Sequence, residues 1–338
     1  MRQFILGYTD ETEGIYDQLP VIIFDDFTTA SKYVDFPFKV KSSAMKILTA
    51  NKELVLPKFI YYRMQVIKFE HSTHKRYWIQ QYSKIKVKIP SLQEQKRIVN
   101  KIEELFSELD SAVETLKKTK EQLAVYRQSV LKIAFDTCDK EEKITSFFDI
   151  SAGLTKNSKR NFFSIKMPYL RVANVYYNRL DLSEIKSIGV QESEIADKRL
   201  KKDDLLFVEG NGSKEQIGRV AVWDDSVKNC LHQNHIIKGR PIGGMLSKFA
   251  LYYLISDFGR KQILKVSSST SGLHTLSAEK VRNLKVPCLS LCEQKNAIHQ
   301  IESRISACEN IEKTVDDALI YADAMRQSIL KKAFEGRL

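Results

Sequence analysis

The chain has 338 residues, 43% of them apolar, and its 54 Lys and Arg against 42 Asp and Glu leave a net charge of +12. That length and apolar content can bury two cores of ordinary size, which excludes a disordered chain, and no run approaches the roughly 18 uncharged apolar residues of a membrane span. Cys138, Cys230, Cys288, Cys292 and Cys308 form no CxxC pair and indicate neither a disulfide framework nor a zinc ribbon, and the start, MRQFILGYTDETEG, turns acidic too soon for a signal peptide, so a cytoplasmic protein with reduced thiols is expected.

Residues 1–89 form a first variable segment. Residues 32–88 hold 13 basic and 3 acidic side chains, together with ten aromatics that include Phe36, Phe38, Tyr61, Tyr62, Tyr77 and Trp78. A basic surface carrying aromatic and amide groups suits a polyanion with base edges to read. A soluble basic domain with its aromatics in the core has the same composition. Lys39, Lys41, His74, Arg76 and Tyr77 are the candidate contacts here.

After Pro90 neither Pro nor Gly occurs until past Asp136, so residues 90–136 read as one uninterrupted helix. Ile102, Leu109, Leu116, Leu123 and Val130 are seven apart, as are Ile98, Leu105, Ala112, Thr119, Tyr126 and Ile133, and together the rows make a coiled-coil seam. A helix of about 44 residues is a rod of roughly 66 Å, close to two turns of duplex DNA.

Residues 137–286 form a second variable segment with 25 basic and 17 acidic residues. Met167–Tyr177, Asp203–Ser213 and Gly218–Trp223 read as strands and turns from short apolar runs with Gly or Asn punctuation. Ser247–Lys265 reads as a helix with Phe249, Tyr253 and Ile263-Leu264 on its buried stripe and Gly259 as a weak point. Ser267–Gly272 is expected to be a loop, which can donate hydroxyls and amides to phosphates or bases or simply connect. Arg171, Asn174, Asn211, Ser213, Lys214 and Arg219 are the leading candidates, because Arg and Asn can hold G and A edges bidentately. Ser268, Ser269, Thr270 and His274 follow.

Residues 287–338 then repeat what came before. YRQSVLKIAFD at Tyr126–Asp136 returns as MRQSILKKAFE at Met325–Glu335, and Glu94-Gln95-Lys96 returns as Glu293-Gln294-Lys295, all at an offset of 199. The spacing is too wide for a solenoid and implies a variable segment and a common helix, written twice. The second seam, Ile301, Cys308, Val315, Ala322 and Ile329, is smaller, and its companion row, Ala297, Arg304, Ile311, Ala318, Met325 and Lys332, is more polar. The two helices are expected to pair antiparallel, with the variable domains at opposite ends, although a merely dimerising coiled coil has the same periodicity. Fainter echoes link KFIYYR at Lys58–Arg63 to KFALYYL at Lys248–Leu254, and KVKIP at Lys86–Pro90 to NLKVP at Asn283–Pro287. The segments therefore share one fold, of the α+β class.

No phosphate-binding loop, dinucleotide fingerprint or amino-methyltransferase tetrad occurs. Glu184-Ile-Lys186 lacks the acidic pair that would precede it in a nuclease, Gly14-Ile15-Tyr16 lacks its partner motif, and His232 and His235 lack the helix and glutamate of a zinc site. Catalytic residues, bound metal and bound cofactor are all expected to be none for this chain.

The order of modules, with helices that follow a proline by three to five residues with Glu-Gln-Lys and end RQSxLKxAF, resembles the specificity subunit of type I restriction-modification systems. PYLRVANV, NGSKEQIGRVAVW and HQNHII resemble a target recognition domain of such subunits, and FDDFTTASKYVDFPF at Phe24–Phe38 resembles the middle of another. The resemblance spans nearly the whole chain. It implies that each recognition domain reads half of a bipartite DNA site, that the helices set the spacing, and that modification and restriction subunits are partners. S-adenosylmethionine, ATP and magnesium would act in those partners.

On this reading residues 1–89 are a first recognition domain, 90–136 the first common helix, 137–286 the second recognition domain and 287–338 the second common helix. The first domain is about sixty residues shorter than the second and reads as truncated, which puts its DNA-reading half in question. The rival readings are a coiled-coil scaffold without DNA specificity, a half-site or non-functional specificity subunit, and a standalone nuclease.

Overall fold

The computed structural model describes residues 4–67, 76–136, 138, 140–211, 213, 215–270 and 273–338. Two units divide the chain, Met1–Lys120 with Lys313–Leu338, and Glu121–Glu312. The first unit runs through β1 (Val21–Asp25), β2 (Ser31–Val34), β3 (Met45–Leu48) and α1 (Pro57–Gln65) into the long helix α2 (Leu92–Phe135). The second takes up the rest of α2, then β4 (Glu141–Lys143), β5 (Phe148–Ala152), β6 (Ile165–Leu170), β7 (Lys186–Val190), β8 (Leu205–Val208) and β9 (Gly210–Asn211). It continues with β10 (Val220–Val222), β11 (Leu231–His232), β12 (Ile236–Pro241), α3 (Ser247–Ile255) and α4 (Asp257–Val266). β13 (Ser268–Thr270), β14 (Leu273–Thr275) and β15 (Lys285–Pro287) lead into the long helix α5 (Leu291–Phe334), whose last turns belong to the first unit. Both long helices have 44 residues and start two to four residues after the prolines that announce them.

The second unit is layered around β8. Its sheet has the order β10-β8-β12-β5, antiparallel throughout. All four residues of β8 are fully buried, and alternation divides them: Leu205 and Phe207 join the core built on α3, α4 and the helix ends, while Leu206 and Val208 join a separate core around Trp223. A second sheet, β7-β6-β11, pairs β6 antiparallel to β7 and parallel to β11. A third, β9-β14-β13, lies just beyond the end of β8.

The first unit repeats the centre of this plan in reduced form. Its sheet is β2-β1-β3, with β1 in the middle and both neighbours antiparallel, as β8 lies between β10 and β12. In each case the helix that follows begins with the echoed sequence, PKFIYY or SKFALYY. Between β1 and β2 the turn is tight, with the Asp25 N–H donating to the Ala30 carbonyl (2.9 Å) and the Thr29 N–H to the Asp25 carbonyl (2.9 Å). Between β8 and β10 lie residues 209–219 instead.

The echoes have equivalent partners. Gln95 and Gln294 are both fully buried. The Gln95 amide accepts from the Leu56 N–H (2.8 Å) and donates to the Leu54 (3.0 Å) and Pro90 (2.8 Å) carbonyls. The Gln294 amide accepts from the Leu246 N–H (2.8 Å) and donates to the Gly244 (2.9 Å) and Leu289 (2.8 Å) carbonyls. Each glutamine thus ties the first turn of a long helix to the entry of the short helix of its domain. Lys58 and Tyr62 meet Glu103, and Lys248 and Tyr252 meet Glu302 in the same way. Phe59 stands edge-on to Phe334 at 5.4 Å, and Phe249 edge-on to Phe135, also at 5.4 Å.

The long helices pair antiparallel within each unit. In the first, Ile102 packs with Leu330 and Ala333, Arg326 pairs with Asp110, and Lys120 with Asp316 at 2.7 Å. In the second, Val130 and Leu131 share a core with Ile301, and Arg127 pairs with Glu312 at 2.7 Å. Of the expected seam, Ile102, Leu109, Leu123, Val130, Ile301, Cys308, Val315 and Ala322 are buried, whereas Leu116 and Ile329 are half-buried, with Leu330 beside Ile329 taking the buried place. Of the companion rows, Ile98 is buried and Leu105, Thr119, Ala297 and Ala318 are half-buried, whereas Ala112, Tyr126, Ile133, Arg304, Ile311, Met325 and Lys332 are exposed. Two helices alone have room to bury one row fully, so much of the other faces outward.

The expected helix Ser247–Lys265 is two helices. The break falls at Ser256, fully buried, whose hydroxyl donates to the Tyr253 carbonyl at 2.6 Å. Gly259 is a contact point instead of a weak point, since a Cβ there would stand 2.4 Å from the Tyr253 oxygen. Ser268–Thr270, expected in a loop, is strand β13; Ser271 and Gly272 lie outside the described residues.

Replacing Gln294 by Leu removes the amide and leaves one buried N–H and two carbonyls without it, at about 1 to 3 kcal/mol for each group stranded. Chemical denaturation of Gln294→Leu and Gln95→Leu is expected to show losses of similar size for both variants. A loss confined to one would mean that the two joints differ in energy despite their geometry.

Candidate nucleic-acid interface

Strand pairing gathers several candidates that are distant in sequence. On the β9-β14-β13 sheet Asn211 is in register with His274, and His274 with Ser269; Gly210, Thr275 and Ser268 form the next row, and Thr270 faces Leu273. Residues 58 positions apart in sequence therefore share one short rung across three strands. The Glu209 carbonyl accepts from the Leu276 N–H at 2.6 Å, and the Glu209 N–H donates to the His235 carbonyl at 3.0 Å, which fixes this sheet to the end of β8. His274 is half-buried.

The loop that follows β9 is bracketed by α4. The Arg260 guanidinium donates to the Ile217 (2.6 Å) and Glu215 (3.3 Å) carbonyls, and it stacks 5.1 Å from the Tyr177 ring. The Tyr177 hydroxyl donates to the same Glu215 carbonyl at 2.5 Å. Gly218 has a left-handed backbone, φ 64°, and a Cβ there would come within 2.5 Å of Ile263, also on α4. Burial lowers the Arg260 pKa from its ordinary value, but that group remains a cation at any physiological pH. Ser213 closes the loop locally, its hydroxyl donating to the Glu215 carboxylate at 2.6 Å.

Beside the loop two guanidinium groups approach one ring, Arg179 at 4.6 Å and Arg219 at 5.2 Å from the centre of Tyr176. Arg179 is exposed; Arg219 is 8% exposed, and its guanidinium also donates to the Val172 carbonyl (3.3 Å) and the Gln216 amide oxygen (3.5 Å). Arg219 therefore supports the surface, and the exposed cation is Arg179, which motif reading passed over.

Other candidates fall into structural positions. Asn174 is 3% exposed, with its amide donating to the Asp181 (2.8 Å) and Glu184 (3.1 Å) carbonyls and accepting from the Arg171 N–H (2.8 Å). It shapes a turn and has no edge left for a base. Arg171 is half-buried, its guanidinium donating to the Glu184 carboxylate at 3.0 Å, and that carboxyl lies below its usual pKa because of this hydrogen bond. In the first unit Tyr77 is buried, its N–H donating to the Asp26 carbonyl (2.9 Å). Lys39 pairs with Glu11, Lys41 is exposed, and Arg76 lies 5.9 Å from the Phe27 ring. His74 and Lys214 lie outside the described residues.

Among the described residues no three His, Cys, Asp or Glu side chains gather as a metal site. His232 is fully buried, Nδ1 donating to the Ile236 carbonyl at 2.9 Å, and burial pushes its pKa down to about 3, so it is a neutral core residue. Glu184 also meets Lys186 at 3.4 Å in an exposed ion pair. No described helix is long and apolar enough to cross a membrane.

Comparison with known proteins follows this architecture. A family model described as the type I restriction modification DNA specificity domain matches residues 21–124 and 140–319. The specificity subunit of the Escherichia coli type I restriction enzyme EcoR124I/EcoR124II is 30% identical over 325 residues, covering 89% of this chain and 77% of that protein. The EcoKI specificity subunit of E. coli strain K12 is 28% identical over 272 residues, covering 75% of this chain and 58% of that protein. Among solved structures, a chain from a study of assembly and conformational transition in a type I system superposes with a TM-score of 0.72 at 17% identity, over 94% of this chain and 82% of that one. The HsdS subunit from Thermoanaerobacter tengcongensis gives 0.56 at 16% identity, over 94% and 81%.

If α4 holds the loop in its reading shape, Arg260→Ala lowers affinity for the cognate duplex by about ten- to a hundredfold, the equivalent of one or two lost hydrogen bonds to buried carbonyls. Affinity for unrelated duplex, and its salt dependence, are expected to stay within about threefold. Fluorescence anisotropy on both duplexes checks this; equal losses on both would show a phosphate contact or a folding defect instead.

Proposed function

The chain belongs to the family of type I restriction-modification DNA specificity domains, and on that premise we propose that it reads DNA through the second recognition domain, at the end of β8. The observation that carries this is the rung of Asn211, His274 and Ser269, set beside a loop held from behind by Arg260 and Tyr177. The backbone register sets an Asn, a His and a Ser at neighbouring positions of one row, residue types that carry the donors and acceptors base edges require, and exposed Arg179 adds a cation beside an aromatic face.

The first domain contributes less sequence reading. Its counterpart of the β8–β10 connection is the tight turn between Asp25 and Ser31, which lacks the length to carry a second rung. Its excess charge, 13 basic against 3 acidic in residues 32–88, suits backbone phosphates. This favours a subunit that reads one half of a bipartite target strongly and the other weakly.

The modification and restriction subunits are proposed as partners in the cytoplasm, the former on the long helices. Val125, Tyr126, Ile133 and Ile311 in the second unit, and Ile320, Tyr321 and Met325 in the first, are exposed apolar side chains on these helices. The catalytic chemistry, with S-adenosylmethionine, ATP and magnesium, is assigned to those partners. The scaffold reading accounts for the helices but leaves the rung and its bracket without a role.

Mapping the methylated motif made with the cognate modification subunit tests the reading. A motif with one strict half is expected, each wrong base pair in it costing about 1 to 3 kcal/mol. Two strictly required, different halves would show that the first domain reads bases as well. Binding whose logarithm does not fall with log salt would remove DNA as the ligand, because each phosphate contact contributes about 0.9 to that slope.

A further inference from the structure

The sheet centred on β8 has two ends. One carries the rung and loop already described. At the other, where β8 begins and β10 ends, a cavity of about 240 Å³ is lined by Arg199, Lys201, Lys202, Lys228, Asn229 and Asp225, together with Leu200. Four cations face one carboxylate, and that carboxylate is engaged by Lys228 at 3.0 Å. The Arg199 guanidinium reaches the Asn229 side-chain oxygen at 3.5 Å. Lys201 and Lys202 are exposed, and no ion pair engages either of them among the described residues.

The walls are rigidly built. The Leu200 N–H donates to the Cys230 carbonyl (2.8 Å), the Asp203 N–H to the Trp223 carbonyl (2.9 Å), and the Trp223 N–H to the Asp204 carbonyl (2.8 Å). Asp204, fully buried, accepts from the Arg240 guanidinium at 2.8 and 3.0 Å, which neutralises the charge behind the cavity and leaves the front basic. Asp203, Asp225 and Asn229, three of the non-glycine residues with left-handed backbone, stand in or beside this wall. Such conformations persist where the surrounding structure holds them, and here they turn two loops so that the lysines flank one opening.

Unlike hydroxyl or amide groups, ammonium and guanidinium groups in this number select for charge and for several phosphates at once. We propose that this cavity takes backbone phosphates of the same DNA whose bases are read at the opposite end of β8, an inference that rests on the DNA-reading function. From Asp204 to Glu209 the extended chain advances about 16 Å, which equals roughly five steps of 3.4 Å along one DNA strand. The phosphates gripped here lie about that far along the duplex from the bases read, outside the recognised half-site.

The test uses the full chain with its modification subunit, a fluorescein-labelled duplex of mixed sequence about 30 base pairs long, and a series of salt concentrations. The site variant is Arg199→Gln/Lys201→Gln/Lys202→Gln/Lys228→Gln. A charge-matched control replaces Lys143, Lys156, Lys159 and Lys285, all exposed and outside the long helices, by Gln. On this duplex the site variant is expected to bind about ten- to a hundredfold more weakly than wild type, with a log–log salt slope smaller by about 3 to 4, at about 0.9 for each of the four cations removed. The control stays close to wild type. Thermal melting reports whether the site variant is folded, and single substitutions, each expected to lower the slope by about 1, replace it if it is not. An unchanged slope with intact duplex binding overturns this site and leaves the recognition function standing. Absence of duplex binding in the wild type overturns the recognition function itself. Loss of tripolyphosphate binding with unaltered duplex binding would assign the cavity to a soluble phosphate ligand and overturn the DNA assignment.

Discussion

Each recognition domain rests on aromatic pairs formed with the far end of the chain's architecture. Phe59 in α1 meets Phe334, the last residue of α5, and Phe249 in α3 meets Phe135, the last residue of α2. Neither short helix has enough apolar surface of its own to stand alone, and a helix of nine residues is marginal without tertiary support. A domain is therefore completed by the beginning of the long helix that follows it and the end of the other long helix. Antiparallel pairing is the arrangement that supplies both. The seam residues hold the helices together, but it is the phenylalanines at their ends that make the pairing part of each domain's core.

The end of the second domain proposed to read DNA follows from this base. α3 and α4 sit on the core that includes Phe135 and Ile301, and the helix break at Ser256 sets α4 at a new direction. From there Arg260 and Ile263 face the loop after β9, while the strand leaving α4 becomes β13 of the edge sheet. One helix thus positions both elements that meet at the rung. Precision at the surface is inherited from packing well below it, which is how a loop can hold hydrogen-bonding groups in fixed places.

Much of this was legible in the sequence because it repeats or is periodic. The two helices, their bounds near Pro90 and Pro287, and most of the seam follow from spacing alone. The echoes KFIYYR and KFALYYL correctly announced equivalent helices, since buried faces that meet the same partners keep the same residues. Individual contacts were less legible. Asn174 and Arg219 stand next to turns, and an amide or guanidinium there serves either bases or backbone carbonyls; only the fold shows that carbonyls took them. Serines have little strand preference, so β13 comes from its pairing with β14 and not from its own composition. Arg260 gave no signal, because one arginine on an amphipathic helix is ordinary until a carbonyl is found beside it.

The two buried glutamines have a wider consequence for how such a chain can change. Their amides bind only main-chain groups, an N–H of Leu56 or Leu246 and carbonyls of Leu54, Pro90, Gly244 and Leu289. Every residue type presents a carbonyl, and every type but proline an N–H. The joint between helix and domain is accordingly indifferent to the side chains that arrive at it. Substitutions in the recognition segment, including wholesale divergence of its loops, need no compensating change in the helix so long as the entering backbone keeps its path. Selection acting on what the domain reads is thereby uncoupled from selection acting on how it is held.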